Sequence, residues 1–410
     1  MNILVWLVRI AVGGTFVFSG FVKAIDPWGT VFKLEEYLGV MDIALPHEMI
    51  VTAAFVLAAT EFTVGVMLAL GCLRRSIVWV TAIIMVGMTA LTAWIYATDP
   101  VADCGCFGDA LIISNGATLI KNIVLCILTV ILLKYNRRVR GLITPRIQWF
   151  AIVFSVLYTA AIGLYGYTVQ PLIDFRPYAV GNTLADTDVP EPRFIYTLNG
   201  ETRSFSPDSL PDDPWEFVAR EEPASVSDHL ALIDSDGEDV TSELAEDSDN
   251  GLLILAVSNP EIHGISRSQM ANALNRYALE HDATMIAAVA TDTPEEWATS
   301  VSAEYPVYTA DDTDLKTLVR GNAALVYVSD DTIRWKYVIY DMAPDITESP
   351  EAKSVNILKE IKPVEDCGIL TNITVPYLLV MGCLVILSAV SVTGRFLWKR
   401  KKRAETPINK

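Results

Sequence analysis

The sequence predicts a polytopic α-helical membrane bundle joined to an extracytoplasmic α/β domain, and three observations lead to this fold class. The chain of 410 residues is 52% hydrophobic, which is too apolar for an ordinary soluble enzyme. Six stretches have the ~20 apolar residues that a helix needs to cross a bilayer. Residues 171–373 hold 13 Lys and Arg against 39 Asp and Glu, whereas the rest of the chain carries a net charge of +8. This distribution argues against nucleic-acid binding, because phosphate contacts need a basic face.

The six apolar stretches are predicted to be membrane helices. They lie at residues 3–24, 49–70, 77–97, 117–133, 148–169 and 375–397. The first stretch could instead be a signal peptide. We favour a retained helix, because its amino end lacks a basic region, Arg9 interrupts its apolar core and no small-x-small cleavage site follows.

The loop charges predict which side of the membrane each loop occupies. Lys and Arg concentrate after the second, fourth and sixth helices, whereas the remaining loops carry Asp and Glu with few cations. The positive-inside rule then places both termini in the cytoplasm of a protein of the cytoplasmic (inner) membrane. The acidic block and the loop 98–116 are therefore predicted to be extracytoplasmic, and the lipid bilayer is the one partner that composition requires.

The first helix carries two charges and two glycines on one face. Arg9, Gly13, Gly20 and Lys23 follow a helical spacing, and glycine on that face lets another helix approach closely. The second helix carries Glu61. With a ~1.5 Å rise per residue, Arg9 and Glu61 lie at similar depths from the inner ends of their helices, which predicts an ion pair. Such a pair is either a structural clamp or a site that carries protons or binds a polar head group.

Three of the six cysteines are predicted to lie on the oxidising side. Cys104 and Cys106 flank one glycine, and Cys367 precedes the last helix as an odd thiol that could join them. A disulfide across a single residue closes a small ring, which suits exchange better than stapling. Lys23 and Lys121 lie at the outer ends of their helices and could stabilise a thiolate. A structural disulfide and a metal site remain alternatives, although a metal needs more ligands and this loop has no His.

The acidic block is divided into two parts. Residues 171–227 include Arg193–Phe205, where Asn199-Gly200 between alternating runs predicts a β-hairpin with a type I′ turn.

Residues 228–373 contain apolar strands alternating with helices, followed by a closing hairpin at 323–340. This order resembles a thioredoxin fold of the TlpA type. The Cys-x-x-Cys motif of thioredoxins does not occur, since no cysteine lies between Cys126 and Cys367. The resemblance therefore implies a binding module without redox chemistry of its own.

The first 135 residues resemble the DoxX/MauE family of small membrane proteins. The matching residues are Arg9, Gly13, Phe16, Ser19, Gly20, Lys23, Asp26 and Pro27 around helix one, Glu61, Gly65 and Leu68 in helix two, and the string Cys-Gly-Cys-Phe-Gly at 104–108. The whole layout is similar to DoxX-like proteins of Bacteroidetes that carry a long extra domain. It gives a four-helix membrane domain at 1–135, a cytoplasmic loop and fifth helix at 136–170, the two extracytoplasmic parts, and a last helix with a basic tail at 374–410.

The resemblance implies a membrane core related in design to quinone-coupled thiol oxidoreductases such as the vitamin K epoxide reductase and DsbB families. MauE itself is associated with maturation of the disulfide-rich methylamine dehydrogenase. The leading hypothesis is therefore a membrane thiol–disulfide redox or maturation protein, with an extracytoplasmic redox or substrate protein as its partner. A membrane quinone is the candidate cofactor and no metal is expected. The alternative is a non-enzymatic envelope scaffold whose cysteines form a structural staple. A transporter is the weaker third hypothesis, since the four helices show no inverted repeat.

Overall fold

The chain folds into two compact units in the computed structural model. One unit comprises Met1–Phe175 with Val364–Lys410, and the other comprises Arg176–Pro363. The structure describes residues 2–101, 103–135, 141–185, 193–198, 201–205, 211, 215–221, 230–262, 265–348 and 356–405.

The first unit is a membrane bundle of six long apolar helices, as the sequence predicts. Each of these helices contains an 18-residue stretch with a mean hydropathy between 1.7 and 2.4. The helices of the unit are α1 (Asn2–Ile25), α2 (Pro27–Val40), α3 (His47–Ala69), α4 (Ser76–Thr98), α5 (Asn115–Tyr135), α6 (Gln148–Thr168) and α12 (Ile369–Glu405). All of them except α2 are long and apolar enough to cross a bilayer.

Glycines bring α1 and α3 into backbone contact. A Cβ atom at Gly20 would lie 2.3 Å from the backbone nitrogen of Phe62, and one at Gly65 would lie 2.5 Å from that of Val17. A Cβ atom at Gly13 would lie 2.8 Å from the carbonyl oxygen of Gly65. No side chain fits at these positions, so the two helices pack at the short distance typical of small-residue contacts in membranes.

Helix α2 is an element that the sequence analysis did not predict. Asp26 caps it by accepting a hydrogen bond from the Gly29 amide at 2.9 Å, and Pro27 occupies its first turn. Asp as the cap and Pro in the first turn both favour the start of a helix, so the sequence Asp26-Pro27 could have predicted α2. Trp28, Val31 and Tyr37 are buried on its inner face.

The last membrane helix packs on α6 through polar contacts. The hydroxyls of Ser155 and Tyr377 lie 3.0 Å apart, and those of Tyr158 and Thr374 lie 3.1 Å apart. These hydroxyls satisfy one another where the surrounding lipid offers no hydrogen bonds. The helix begins at Ile369, six residues before the predicted start of the span.

The described residues of the second unit form two β-sheets. Its strands are β1 (Arg193–Leu198), β2 (Glu201–Phe205), β3 (Glu216–Glu221), β4 (Leu252–Val257), β5 (Thr284–Val289), β6 (Val307–Thr309), β7 (Ala324–Ser329) and β8 (Thr332–Val338). Its helices are α7 (Thr241–Glu246), α8 (Ile265–Glu280), α9 (Pro294–Val301), α10 (Asp312–Leu318) and α11 (Ile339–Glu348).

The smaller sheet has three antiparallel strands in the order β2-β1-β3. The predicted hairpin is present, since β1 pairs with β2 from Phe194 opposite Phe205 to Leu198 opposite Glu201. Its predicted turn residues, Asn199 and Gly200, lie outside the described residues. The third strand was not predicted.

The larger sheet has five strands in the order β6-β5-β4-β7-β8. Strands β4, β5 and β6 are parallel, β7 runs antiparallel to β4, and β8 runs antiparallel to β7. All six residues of β4 are buried, which explains its uninterrupted apolar sequence. The alternation of strands and helices agrees with the sequence prediction, and the unit is an α/β domain that ends at Pro363.

The contact between α1 and α3 predicts different effects at two glycines of α1. Gly20→Ala places a methyl group against the α3 backbone and is expected to cost about 1–3 kcal/mol of stability. Gly14→Ala is the control, because a Cβ atom there meets nothing within 4 Å and alanine favours a helix. Thermal unfolding of the full chain in detergent measures both. Equal melting temperatures for the two variants would contradict the close packing.

Candidate functional site: a buried pair of cysteines

The loop between α4 and α5 makes two tight turns around its cysteines. Gly105 and Gly108 both have positive φ angles, +61° and +50°, which glycine adopts without strain. The Gly105 amide donates to Asp103 Oδ2 at 2.7 Å, and the Gly108 amide donates to the Gly105 carbonyl at 3.2 Å. The short side chain of Asp103 thus closes the first turn locally.

These turns bring the thiols of Cys104 and Cys106 together. Their Sγ atoms lie 2.9 Å apart, and both side chains are buried. Tyr37, Ile95 and Val101 surround the pair with Met88 and Trp94 packed alongside. The sulfurs are therefore within reach of each other, in an apolar environment that limits access of water.

Three side chains from α1 and α2 fix the carbonyl groups of the two cysteines. The Tyr37 hydroxyl donates to the Cys104 carbonyl at 2.6 Å. The Cys106 carbonyl lies 2.7 Å from Lys23 Nζ and 2.6 Å from Ser19 Oγ. The loop backbone is thereby attached to two helices at the same point where the thiols meet.

The Lys23 ammonium uses all three of its protons within the bundle. It donates to the Cys106 carbonyl, to Ser19 Oγ at 2.7 Å and to Glu61 Oε2 at 2.9 Å. Lys23 and Glu61 are both almost completely buried. Charges in a membrane interior need a partner and further hydrogen bonds, and this arrangement supplies both.

The predicted pairing of Glu61 with Arg9 is wrong, because Glu61 pairs with Lys23 from the opposite end of α1. Arg9 is buried beside Gly71, where a Cβ atom would lie 2.6 Å from Arg9 Nη1, and its guanidinium lies 5.4 Å from the ring of Trp6. The prediction assumed that the ends of the two helices are level. In the structure Gly13, about three turns into α1, packs against Ala69 at the end of α3, and this offset places Glu61 beside Ser19 and Lys23.

Hydrogen bonding makes the two thiols unequal. The hydrogen bond between the thiols, helped by burial, raises the pKa of Cys104. The same hydrogen bond lowers the pKa of Cys106 to about 7, against the effect of burial and with help from the positive charges of Lys121 and Lys23. Cys106 is therefore the more acidic thiol of the pair.

Two further cations lie around the loop. Lys121 Nζ sits 4.0 Å from the centre of the Phe107 ring, in a cation–π contact. Lys33 Nζ bonds to Asp103 Oδ1 at 2.8 Å, so α2 also holds the acidic residue that closes the first turn. Lys33, Ser19 and Tyr37 are site residues for which the sequence analysis assigned no role.

The third predicted thiol lies outside this cluster. Cys367 is exposed in the 3₁₀ helix Val364–Cys367 that precedes α12. Its participation stays a prediction. Within the described part of the chain, no group of three or more His, Cys, Asp or Glu side chains could hold a metal ion.

Two clefts flank the cysteine loop within the membrane unit. One cleft is lined in part by charged side chains, among them Asp26, Lys33, Asp103 and Asp109. The other is narrow and mostly apolar, and it is lined by Cys106 and by residues of four membrane helices. The loop therefore forms part of the wall of both clefts.

The fold and this site define a multi-pass membrane protein with a buried, asymmetric cysteine pair. Residues 1–135 match the family described as Methylamine utilisation protein MauE, so this region is MauE-like. The match includes Lys23, Glu61, Lys121 and both cysteines. Residues 190–224 match a family described only as Domain of unknown function (DUF8463), which covers the three-stranded sheet. A search of the curated proteins finds no significant match.

The buried ion pair predicts strong coupling between Lys23 and Glu61. Lys23→Met alone strands a carboxylate and is expected to cost ~3–5 kcal/mol, whereas the double variant Lys23→Met/Glu61→Gln recovers part of that loss. Unfolding of the full chain in detergent gives the coupling free energy. The matched cycle with Arg9→Met and Glu61→Gln should be additive. Coupling at Arg9 with additivity at Lys23 would refute the assignment.

The unequal thiols predict a pH-dependent reactivity of Cys106. A thiolate reacts with iodoacetamide, so the alkylation rate at Cys106 should rise with pH through about 7. Lys121→Met removes a positive charge that favours the thiolate and should shift the profile to higher pH. Lys134→Met, at the other end of α5, is the control. Peptide mass spectrometry separates Cys106 from Cys104, and an unshifted profile in Lys121→Met would contradict this role of Lys121.

Proposed function

We propose that the chain is a membrane thiol–disulfide exchange protein that matures extracytoplasmic proteins through Cys104 and Cys106. The observation that carries this proposal is the 2.9 Å approach of two buried thiols, one of which has its pKa lowered to about 7. A purely structural staple gains nothing from a lowered pKa, whereas exchange requires a thiolate. The MauE-like match over the site agrees with a role in protein maturation.

The asymmetry of the pair gives each cysteine a role in exchange. In the oxidised state, a thiolate of the partner protein attacks Cys104 Sγ, the Cys104–Cys106 bond breaks and Cys106 leaves as a thiolate. A thiol of lower pKa is the better leaving group, so Cys106 is the sulfur that leaves. A second partner thiolate then attacks the mixed disulfide. The partner gains a disulfide, and Cys104 and Cys106 gain its two electrons.

A shallow opening in the loop borders both sulfurs. Cys104 and Cys106 line it together with Leu111, Ile113 and Thr118. Leu111 and the adjacent Ile112 are exposed, although they lie in a loop. They offer an apolar surface against which a polypeptide segment could rest while its cysteine reaches Sγ.

The charge pattern supports an extracytoplasmic site in an inner membrane. Arg74 and Arg75 follow α3, and Lys399–Arg403 lie near the end of the chain, so cations collect at one set of helix ends. The cysteine loop follows the opposite end of α4. By the positive-inside rule this loop faces the oxidising compartment, where exchange with secreted proteins takes place.

The α/β unit is proposed to bind the partner protein without taking part in the chemistry. Its parallel β4–β5 pair followed by the antiparallel β7–β8 hairpin is the order expected of a thioredoxin-like fold. The segment after β4, where such folds place a Cys-x-x-Cys motif, begins Ser258-Asn259-Pro260 and contains no cysteine before α8. Binding is the function that such a fold retains without its thiols.

Thiol trapping in intact membranes tests the proposal. Cys106→Ser should leave Cys104 free to hold a partner as a mixed disulfide, seen as a reductant-sensitive adduct on a gel. Cys104→Ser/Cys106→Ser is the control and should form no adduct. If Cys367 is the third member, the adduct is internal and disappears in Cys106→Ser/Cys367→Ser. An intermolecular adduct should cross-link to residues 176–363, and Cys104 thiols that hold no partner should react with a membrane-impermeant thiol reagent added from outside.

Two results would contradict the proposed exchange function. In one, both cysteines of the wild-type chain remain reduced in native membranes. In the other, the pair remains oxidised under strong reductant while the Cys→Ser variants lose only stability, which would identify a structural staple.

A further inference from the structure

The narrow apolar cleft beside Cys106 lies between helices that cross the membrane. Phe16 of α1, Met85 of α4 and Leu125 of α5 are buried at its base, whereas Ile84 of α4 is only partly buried. Its space is about 30 Å³, far below the ~300 Å³ at which small-molecule sites begin. The cleft therefore does not enclose a ligand, but a hydrocarbon chain of the surrounding lipid can lie along its apolar wall.

Lys121 lies at the loop end of this cleft. It follows Asn115, the first residue of α5, by six positions, so its Cα lies ~9 Å along the helix. Its side chain nevertheless reaches the cysteine loop, because Nζ sits 4.0 Å from the centre of the Phe107 ring. A lysine that bends towards the end of its helix keeps its ammonium at the boundary between hydrocarbon and water, where the phosphate groups of lipids lie.

Lys121 differs from the other cations around the cysteine loop in having no carboxylate partner among the described residues. Lys23 is paired with Glu61, and Lys33 is paired with Asp103. Glu61 also borders the cleft, but the Lys23 ammonium already neutralises it. The cleft therefore keeps the positive charge of Lys121. A charge at this depth is costly without a partner, so an anion from outside the chain would stabilise it.

We infer that this cleft binds an anionic phospholipid, with one acyl chain against α4 and α5 and the phosphate on the Lys121 ammonium. The apolar wall accepts the chain, and the phosphate oxygens accept the protons of Nζ. A zwitterionic head group would bring a second cation to a place that already holds Lys121, so an anionic head group is favoured. The phosphate belongs to a lipid rather than to the solution, because the cleft continues from Lys121 between membrane-spanning helices.

The bound phosphate would also act on Cys106, and this consequence rests on the exchange function proposed above. Lys121 and Cys106 border the same cleft, and the charge of Lys121 lowers the pKa of the Cys106 thiol. Lys23 and Glu61 also act on this thiol, in opposite directions. A phosphate beside Lys121 offsets the effect of Lys121 and makes Cys106 less reactive. The content of anionic lipid in the membrane would thus adjust the reactivity of the thiol pair.

Photocrosslinking tests binding independently of the thiols. The full-length protein is placed in nanodiscs that contain either phosphatidylglycerol or phosphatidylcholine with a diazirine in the acyl chain, and labelled residues are identified by mass spectrometry. Leu125 lines the cleft, whereas Ile120, next to Lys121, is 66% exposed and does not line it. The ratio of phosphatidylglycerol to phosphatidylcholine labelling should be about tenfold higher at Leu125 than at Ile120, equivalent to ~1.4 kcal/mol of binding free energy. Equal ratios at the two residues would refute the site.

A matched pair of variants tests the contact with the head group. Lys121→Met removes the charge and should reduce the labelling ratio at Leu125 to that at Ile120. Lys121→Arg keeps the charge and should keep the high ratio. Inorganic phosphate in excess should not change it. An unchanged ratio in Lys121→Met, or displacement of the lipid by inorganic phosphate, would overturn the inference, because the first result separates the lipid from Lys121 and the second identifies a site for a free anion.

Alkylation of Cys106 at neutral pH separates the effect on the thiol from the binding. Nanodiscs of equal parts phosphatidylglycerol and phosphatidylcholine are compared with phosphatidylcholine alone. An anionic surface attracts protons and slows alkylation in every variant, so Lys121→Met measures this general effect. The wild-type chain should be slowed by a further factor of about three. Equal slowing of both proteins would refute the effect on Cys106. If the lipid labels Leu125 while thiol trapping captures no partner, the exchange function is wrong and the lipid site stands.

Discussion

The membrane unit depends on the buried ion pair between Lys23 and Glu61. A membrane interior solvates neither charge, so each must find its partners inside the protein. The ammonium of Lys23 has three protons, and it donates them to Glu61, to Ser19 and to the Cys106 carbonyl. The third of these bonds links the electrostatics of the helix pair to the backbone of the cysteine loop. Any movement of the loop away from α1 would leave a buried ammonium proton without an acceptor.

The ion pair in turn requires the close packing of α1 on α3. Backbone contacts at Gly13, Gly20 and Gly65 set the distance between the helix axes, and a side chain at any of them would separate the helices. A separation of a few ångströms would weaken the 2.9 Å contact of Lys23 with Glu61 and expose both charges to lipid. The glycines therefore position the site although they lie away from the sulfurs.

The loop that is attached to these helices holds two thiols with different pKa values. Side chains from α1 and α2 donate hydrogen bonds to the carbonyl groups of Cys104 and Cys106. The positive φ of Gly105 bends the backbone so that the two sulfur atoms lie close together. The hydrogen bond between the thiols raises the pKa of Cys104 and lowers that of Cys106, and the positive charges of Lys121 and Lys23 lower the pKa of Cys106 further. Cys106 also borders the apolar cleft between the membrane helices.

The sequence by itself determined those features that depend on local composition. Apolar length gave the six membrane helices, the apolar run at Leu252–Val257 gave a buried central strand, and the Cys-Gly-Cys spacing marked the loop in which two thiols meet. Helical periodicity also placed Arg9 and Lys23 on one face of α1. Periodicity specifies a face but not the axial offset between two helices, so it could not decide which cation meets Glu61. That choice followed from the fit of α1 glycines against the α3 backbone, which sets Gly13 beside Ala69 at the end of α3 and places Glu61 at the level of Ser19 and Lys23. The sequence could not assign Tyr37 to the site for a similar reason, because only the packing of α2 on the bundle brings its hydroxyl to the Cys104 carbonyl.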